Sequence, residues 1–182
     1  MGKKRVLWIT QTGIFLAILF VAQIFTRPLG QFVTGSVNNM IFILSVMLIG
    51  LSSAIVLCVA SQILVVVTGT VPLVQTFPQL MPVIIAGNIV LVILWHIIAL
   101  KQEKRSKIRE IIAIAAAAFV KFIVLYIGIV LLVVPLILGL PEPQASTVSA
   151  LFSWPQLVTA AIGGAIAILL YGPLSKALSK QN

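Results

Sequence analysis

Side chains able to do chemistry are few in this chain. Among 182 residues there are three carboxylates, Glu103, Glu110 and Glu142, one histidine, His96, and one cysteine, Cys58. None of the carboxylates falls inside an apolar run, so no buried acid pair, proton relay or aspartyl dyad can be assembled. His96 lacks an H-E-x-x-H companion and Cys58 lacks a second thiol, which leaves no metal site and no disulfide. Cys58 reads as a small core residue. No G-x-x-x-x-G-K-[ST] phosphate loop is present, so the chain does not hydrolyse ATP itself. A Ser–His dyad stays formally open. His96 and Trp95, however, stand about four residues, roughly 6 Å, from the charged end of their apolar segment, where an interfacial anchor is the plainer reading.

The exceptional residue is Lys121, set in the apolar run Ile111 to Leu138. It lies about eleven residues in, roughly 16 Å along a helix, near the middle of a hydrocarbon core about 30 Å thick. A cation there costs at least about 2.5–3.5 kcal/mol, and no carboxylate is available to offset it. Lys121 must bond carbonyls and amides, snorkel, face a polar cavity or await a ligand. Asn88 reaches a similar depth from the opposite side, some ten residues past Pro78, and Gln62 is near mid-depth of its own segment. Three polar groups at one level suggest a hydrated pocket; the alternative is hydrogen bonding that only holds helices together. Nearer one surface, Tyr126 and Trp154 are candidate aromatic walls. Asn38, Asn39, Gln79 and Gln156 are candidate polar lid contacts. Trp154 equally suits a headgroup anchor.

The elements that must position these groups are membrane spans. The chain is 61% hydrophobic and 8% charged, too apolar for a soluble domain, and its length suits one domain over residues 1–182. Apolar runs predict six helices: about Val6–Thr26, Val37–Ile49, Ala54–Thr68, Pro82–Leu100, Ile111–Leu138 and Pro155–Leu178. The stretches Gly30–Asn39, Gly69–Gln79 and Gly139–Ser153 read as polar outside connections, and Gly172-Pro173 as a loosened last turn. The second and third runs look short for full spans, so one of them reads as tilted or partly inset. A kink is expected at Pro135. The first run lacks a small-residue cleavage site and is read as a mature helix.

The net charge is +9. Ten of the twelve Lys and Arg form three clusters, Lys3, Lys4, Arg5; Lys101, Lys104, Arg105, Lys107, Arg109; and Lys176, Lys180. Each abuts an apolar segment, the pattern of cytoplasmic retention, and six spans place all three clusters and both termini inside. Clusters so distributed make no phosphate-tracking groove, so nucleic-acid binding is excluded as a class. No internal repeat is visible, which weakens an inverted-repeat carrier. Gly13 and Ala17 form a small-xxx-small pair on the first helix, suited to close helix approach, within the bundle or against a partner.

These features together resemble the substrate-binding membrane subunit, the S-component, of energy-coupling-factor (ECF) vitamin transporters. The resemblance rests on the basic start followed by Gly13-Ile14-Phe15-Leu16-Ala17, on Gly35-Ser36-Val37-Asn38-Asn39, on Pro82-Val83-Ile84-Ile85-Ala86-Gly87-Asn88 and on Phe119-Val120-Lys121-Phe122. The family's first-helix motif is usually Ala-x-x-x-Ala, and Gly13 keeps the small surface. The resemblance implies an all-α six-helix bundle in a bacterial plasma membrane that captures a water-soluble vitamin from outside. It implies docking through Gly13 and Ala17 onto a transmembrane coupling subunit, and toppling in the membrane to release the vitamin inside. Two cytoplasmic ATPase subunits would bind ATP and Mg; this chain would carry no cofactor, no metal and no catalytic residue. Asn38, Asn39, Asn88 and Lys121 would line or support the pocket, closed by the loops around Gly30 and Gln79. A lysine without a carboxylate disfavours cationic thiamine and puts pantothenate first, with hydroxymethylpyrimidine or pyridoxine next. The alternatives are a stand-alone secondary carrier or channel for a small polar solute, a membrane-embedded enzyme and a non-transporting membrane subunit.

Overall fold

A computed structural model describes residues 2–69, 71–100 and 106–179. Long apolar runs close their backbone hydrogen bonds internally as helices, the only open-ended solution in lipid. The helices are α1 (Lys3–Thr26), α2 (Gln31–Leu48), α3 (Leu51–Thr68), α4 (Pro72–Thr76), α5 (Leu80–Trp95), α6 (Lys107–Leu125), α7 (Glu142–Leu151) and α8 (Trp154–Ser179). Two of them run on in wider π-helical winding, α5 through His96–Leu100 and α6 through Tyr126–Leu138. Pro135 sits inside the latter without ending it. Among the described residues, six helical stretches are long and apolar enough to cross a membrane.

Several boundaries depart from the sequence reading. The stretch Gly30–Asn39 is not a loop. The chain turns at Arg27-Pro28-Leu29, Gly30 takes φ +87° where a side chain would be strained, and α2 starts at Gln31. Thr34, Ser36, Asn38 and Asn39 therefore ride on the first half of a helix. The short second and third runs become 18-residue helices, about 27 Å each. The connections Gly69–Gln79 and Gly139–Ser153 contain α4 and α7, and Pro173 lies within a continuous α8. Glu110 is in the first turn of α6 and buried, not in a solvated connection. Thr70, Glu103, Lys180 and three members of the central basic cluster, Lys101, Lys104 and Arg105, lie outside the described residues.

The closest helix pair is α2 against α8. A Cβ on Gly163 would stand 2.6 Å from the Ser36 carbonyl oxygen and 2.8 Å from the Met40 nitrogen. Backbones touch there because Gly163 has no side chain, and Gly35 meets Thr159 in the same seam. Polar bonds stitch α1 to α3, one exposed and one buried. Trp8 Nε1 donates to Ser52 Oγ at 3.2 Å, and Thr12 Oγ1 donates to Ser53 Oγ at 2.9 Å. Ser53 Oγ also bonds Ser45 Oγ of α2 at 3.0 Å. The apolar core centres on Phe42, Leu57, Leu91, Trp95 and the Ala113–Ala118 stretch of α6.

Candidate functional site

α2 and α5 both run inward from the same end of the bundle. Asn39 lies eight residues into α2 and Asn88 eight into α5, so each stands about 12 Å deep. Lys121, fourteen residues up α6 from the opposite end, arrives at that level from about 21 Å away. The three meet. Lys121 Nζ donates to Asn39 Oδ1 at 2.6 Å and to Asn88 Oδ1 at 2.7 Å. Lys121 is 3% exposed, Asn39 1% and Asn88 5%. An ammonium carries three donors, and two amide oxygens engage two of them. The amide dipoles supply at the bundle centre the stabilisation that water or a carboxylate gives elsewhere.

This triad forms the floor of a cavity of about 340 Å³, toward the small end of ligand pockets. Gln62 contributes from α3, while Phe42, Val65, Val74 and Ile84 give apolar wall. At the mouth stand Arg27, Gly30 and Gln31 from the α1–α2 corner, Val71 and Leu73 near α4, and Leu151, Phe152 and Gln156 from the α7–α8 corner. Gln31 Nε2 donates to the Leu151 carbonyl oxygen at 2.6 Å, and Gln156 Nε2 to the same oxygen at 3.1 Å. That carbonyl ties α2 and α8 to the end of α7. No Asp or Glu lines the cavity among the described residues.

Of the residues singled out from sequence, Asn38, Asn39, Gln62, Asn88, Lys121 and Gln156 line this cavity. Gln79, Tyr126 and Trp154 do not. Gln79 is exposed ahead of α5. Tyr126 lies tilted against Phe122 with ring centroids 5.7 Å apart, on the outward side of the π-helical continuation of α6. Trp154 is 60% exposed and packs on Phe32, the position of an interfacial anchor. Gly13 and Ala17 are exposed on the outer face of α1, and a Cβ on Gly13 would meet nothing within 4 Å. The small pair is therefore not spent on packing within this bundle.

Gln23 and Arg27 line the cavity without having been marked by sequence as site residues. They stand four apart at the end of α1, on one helix face. An amide and a guanidinium at that spacing beside a Pro were the available signal. Gln23 Oε1 and Asn38 Oδ1 are buried with no hydrogen-bond partner among the described residues.

The assembly is a polar-floored, apolar-walled cavity reached from one end of a six-span bundle, with no nucleophile–base pair among the described residues that line it. Neither the curated proteins nor the solved structures contain a match to this chain. A family model described as "ECF transporter, substrate-specific component" matches residues 8–175, spanning α1 through α8, and the chain belongs to that family.

Proposed function

We propose that this subunit captures a small water-soluble vitamin or vitamin precursor in the cavity above Lys121 and delivers it to an ATP-driven ECF module. Family membership makes it the substrate-specific membrane component. The single observation that carries the site is the buried Lys121 ammonium, held by Asn39 and Asn88 and facing a cavity without a carboxylate. A cationic ligand such as thiamine would meet repulsion there. Pantothenate is the first candidate, with hydroxymethylpyrimidine or pyridoxine next.

Orientation follows from charge. Lys3, Lys4 and Arg5 and the segment around Lys107 and Arg109 lie at the bundle end away from the cavity mouth. Under the positive-inside bias both termini face the cytoplasm and the mouth faces outward, in a bacterial plasma membrane. The outer face of α1, with Gly13 and Ala17, docks on a transmembrane coupling subunit. ATP and Mg belong to two cytoplasmic ATPase partners; this chain does no chemistry on its cargo.

The test is uptake into proteoliposomes. With coupling subunit, ATPases and internal ATP, the captured vitamin accumulates inside. Equal accumulation by this chain alone would replace the reading with a self-sufficient carrier.

A further inference from the structure

The capture reading leaves the orientation and chemical class of the ligand open, and the cavity itself addresses both. Its two cationic groups sit at opposite ends. Arg27 is at the mouth beside the start of α2, and Lys121 bonds Asn39 eight residues further along that helix, about 12 Å in rise. Their partners differ. Lys121 is committed to two amide oxygens and keeps one N–H for a ligand. Arg27 is half-buried, and while its carbonyl accepts from the Gly30 N–H, its guanidinium forms no hydrogen bond or ion pair with any described residue. Its planar fork is built for bidentate contact with a carboxylate or phosphate. Asn38 Oδ1 and Gln23 Oε1 beside the cavity are closed off from solvent and have no partner among the described residues, so the ligand's anchors are the two cations.

Resting on the capture reading above, we propose that the ligand is an elongated organic anion bound end-on. Its carboxylate or phosphate lies on Arg27 at the mouth. A neutral acceptor, a hydroxyl or carbonyl oxygen, lies on the free N–H of Lys121 at the floor. The uncommitted guanidinium, not the deep lysine, reads the charge. Putting the anion at the mouth also leaves the charged group near water, where its desolvation cost is smallest.

The test uses matched pairs of probes: pantothenate with panthenol, nicotinate with nicotinamide, and biotin with its primary amide. Thiamine, pyridoxine and hydroxymethylpyrimidine complete the panel. Each is titrated against purified wild-type, Arg27→Gln, Arg27→Lys and Lys121→Met protein, with thermal unfolding checked for every variant. The expected result is tight binding of one carboxylate, at least about tenfold weaker binding of its neutral partner, and loss of that discrimination in Arg27→Gln with partial retention in Arg27→Lys. Lys121→Met weakens acid and neutral partner alike. Tightest binding of a neutral or cationic compound overturns this inference and leaves the capture reading standing. So does a carboxylate preference that survives Arg27→Gln and disappears in Lys121→Met. No binding by any compound to folded protein overturns both.

Discussion

Gly163 of α8 packs so closely on Asn39 of α2 that a Cβ added to Gly163 would stand 2.7 Å from the Asn39 Cβ. One hydrogen atom's worth of space in α8 thus sets where Asn39 holds its amide oxygen, 2.6 Å from Lys121 Nζ.

Gly163→Ala is expected to push α2 away and misplace Asn39. Three contacts under 3.0 Å, two of them to backbone atoms, leave no flexible chain end to yield, so the cost is about 1–3 kcal/mol. Gly164→Ala meets the Ile114 side chain at 3.0 Å, which can shift, and is expected to cost less. Thermal unfolding in detergent, with ligand titration on the same samples, separates the two.

The Lys121–Asn88 bond is expected to behave as a coupled pair. Asn88→Leu strips an acceptor from a buried ammonium and costs about 2 kcal/mol. Lys121→Met/Asn88→Leu is expected to recover part of that loss, with a coupling energy of about 1–3 kcal/mol in a double-mutant cycle, yet to bind no ligand. Additive losses would mean that the two residues stabilise the fold independently.

Ser53 is the shared partner of Thr12 and Ser45. Ser53→Ala is expected to destabilise by about 1–2 kcal/mol, more than Thr12→Val or Ser45→Ala, because it leaves two buried hydroxyls short of a partner instead of one. Denaturation midpoints in one detergent make the comparison.

On the opposite face of α1, Gly13→Leu and Ala17→Leu are expected to leave stability and ligand affinity nearly unchanged, since both positions point away from the bundle. Uptake in the presence of the ECF module is expected to fall about tenfold or more, as the bulk blocks close helix approach. Unimpaired uptake would remove this face from the docking surface.

Depth was legible in the sequence, and direction was not. Lys121 stood out because a mid-span cation is costly; counting residues from the helix ends put Asn88 and Gln62 at its level. Counting could not say which way Tyr126 points. Five residues beyond Lys121, it is turned about 140° around the helix at 3.6 residues per turn, and so faces outward. From sequence alone Asn39 reads as a lid contact, because Thr34, Ser36, Asn38 and Asn39 have the composition of a loop. Those polar groups instead line or adjoin an internal cavity, and α2 is a full helix through them. Six spans follow from the lengths of the apolar runs, and the basic clusters from where Lys and Arg fall between them. The α2–α8 seam depends on Gly163 facing Ser36, Asn39 and Met40 and on Gly35 facing Thr159, pairings that a single sequence does not encode locally.

The most direct measurement is calorimetric titration of the purified chain with water-soluble vitamins and precursors, repeated on Lys121→Ala, Asn88→Ala and Trp154→Leu. The result expected is submicromolar binding of one compound, weakened about a hundredfold or more, about 2.7 kcal/mol, in the first two variants and unchanged in Trp154→Leu. Binding that is indifferent to Lys121 and Asn88, or no binding by folded protein, would contradict capture in this cavity.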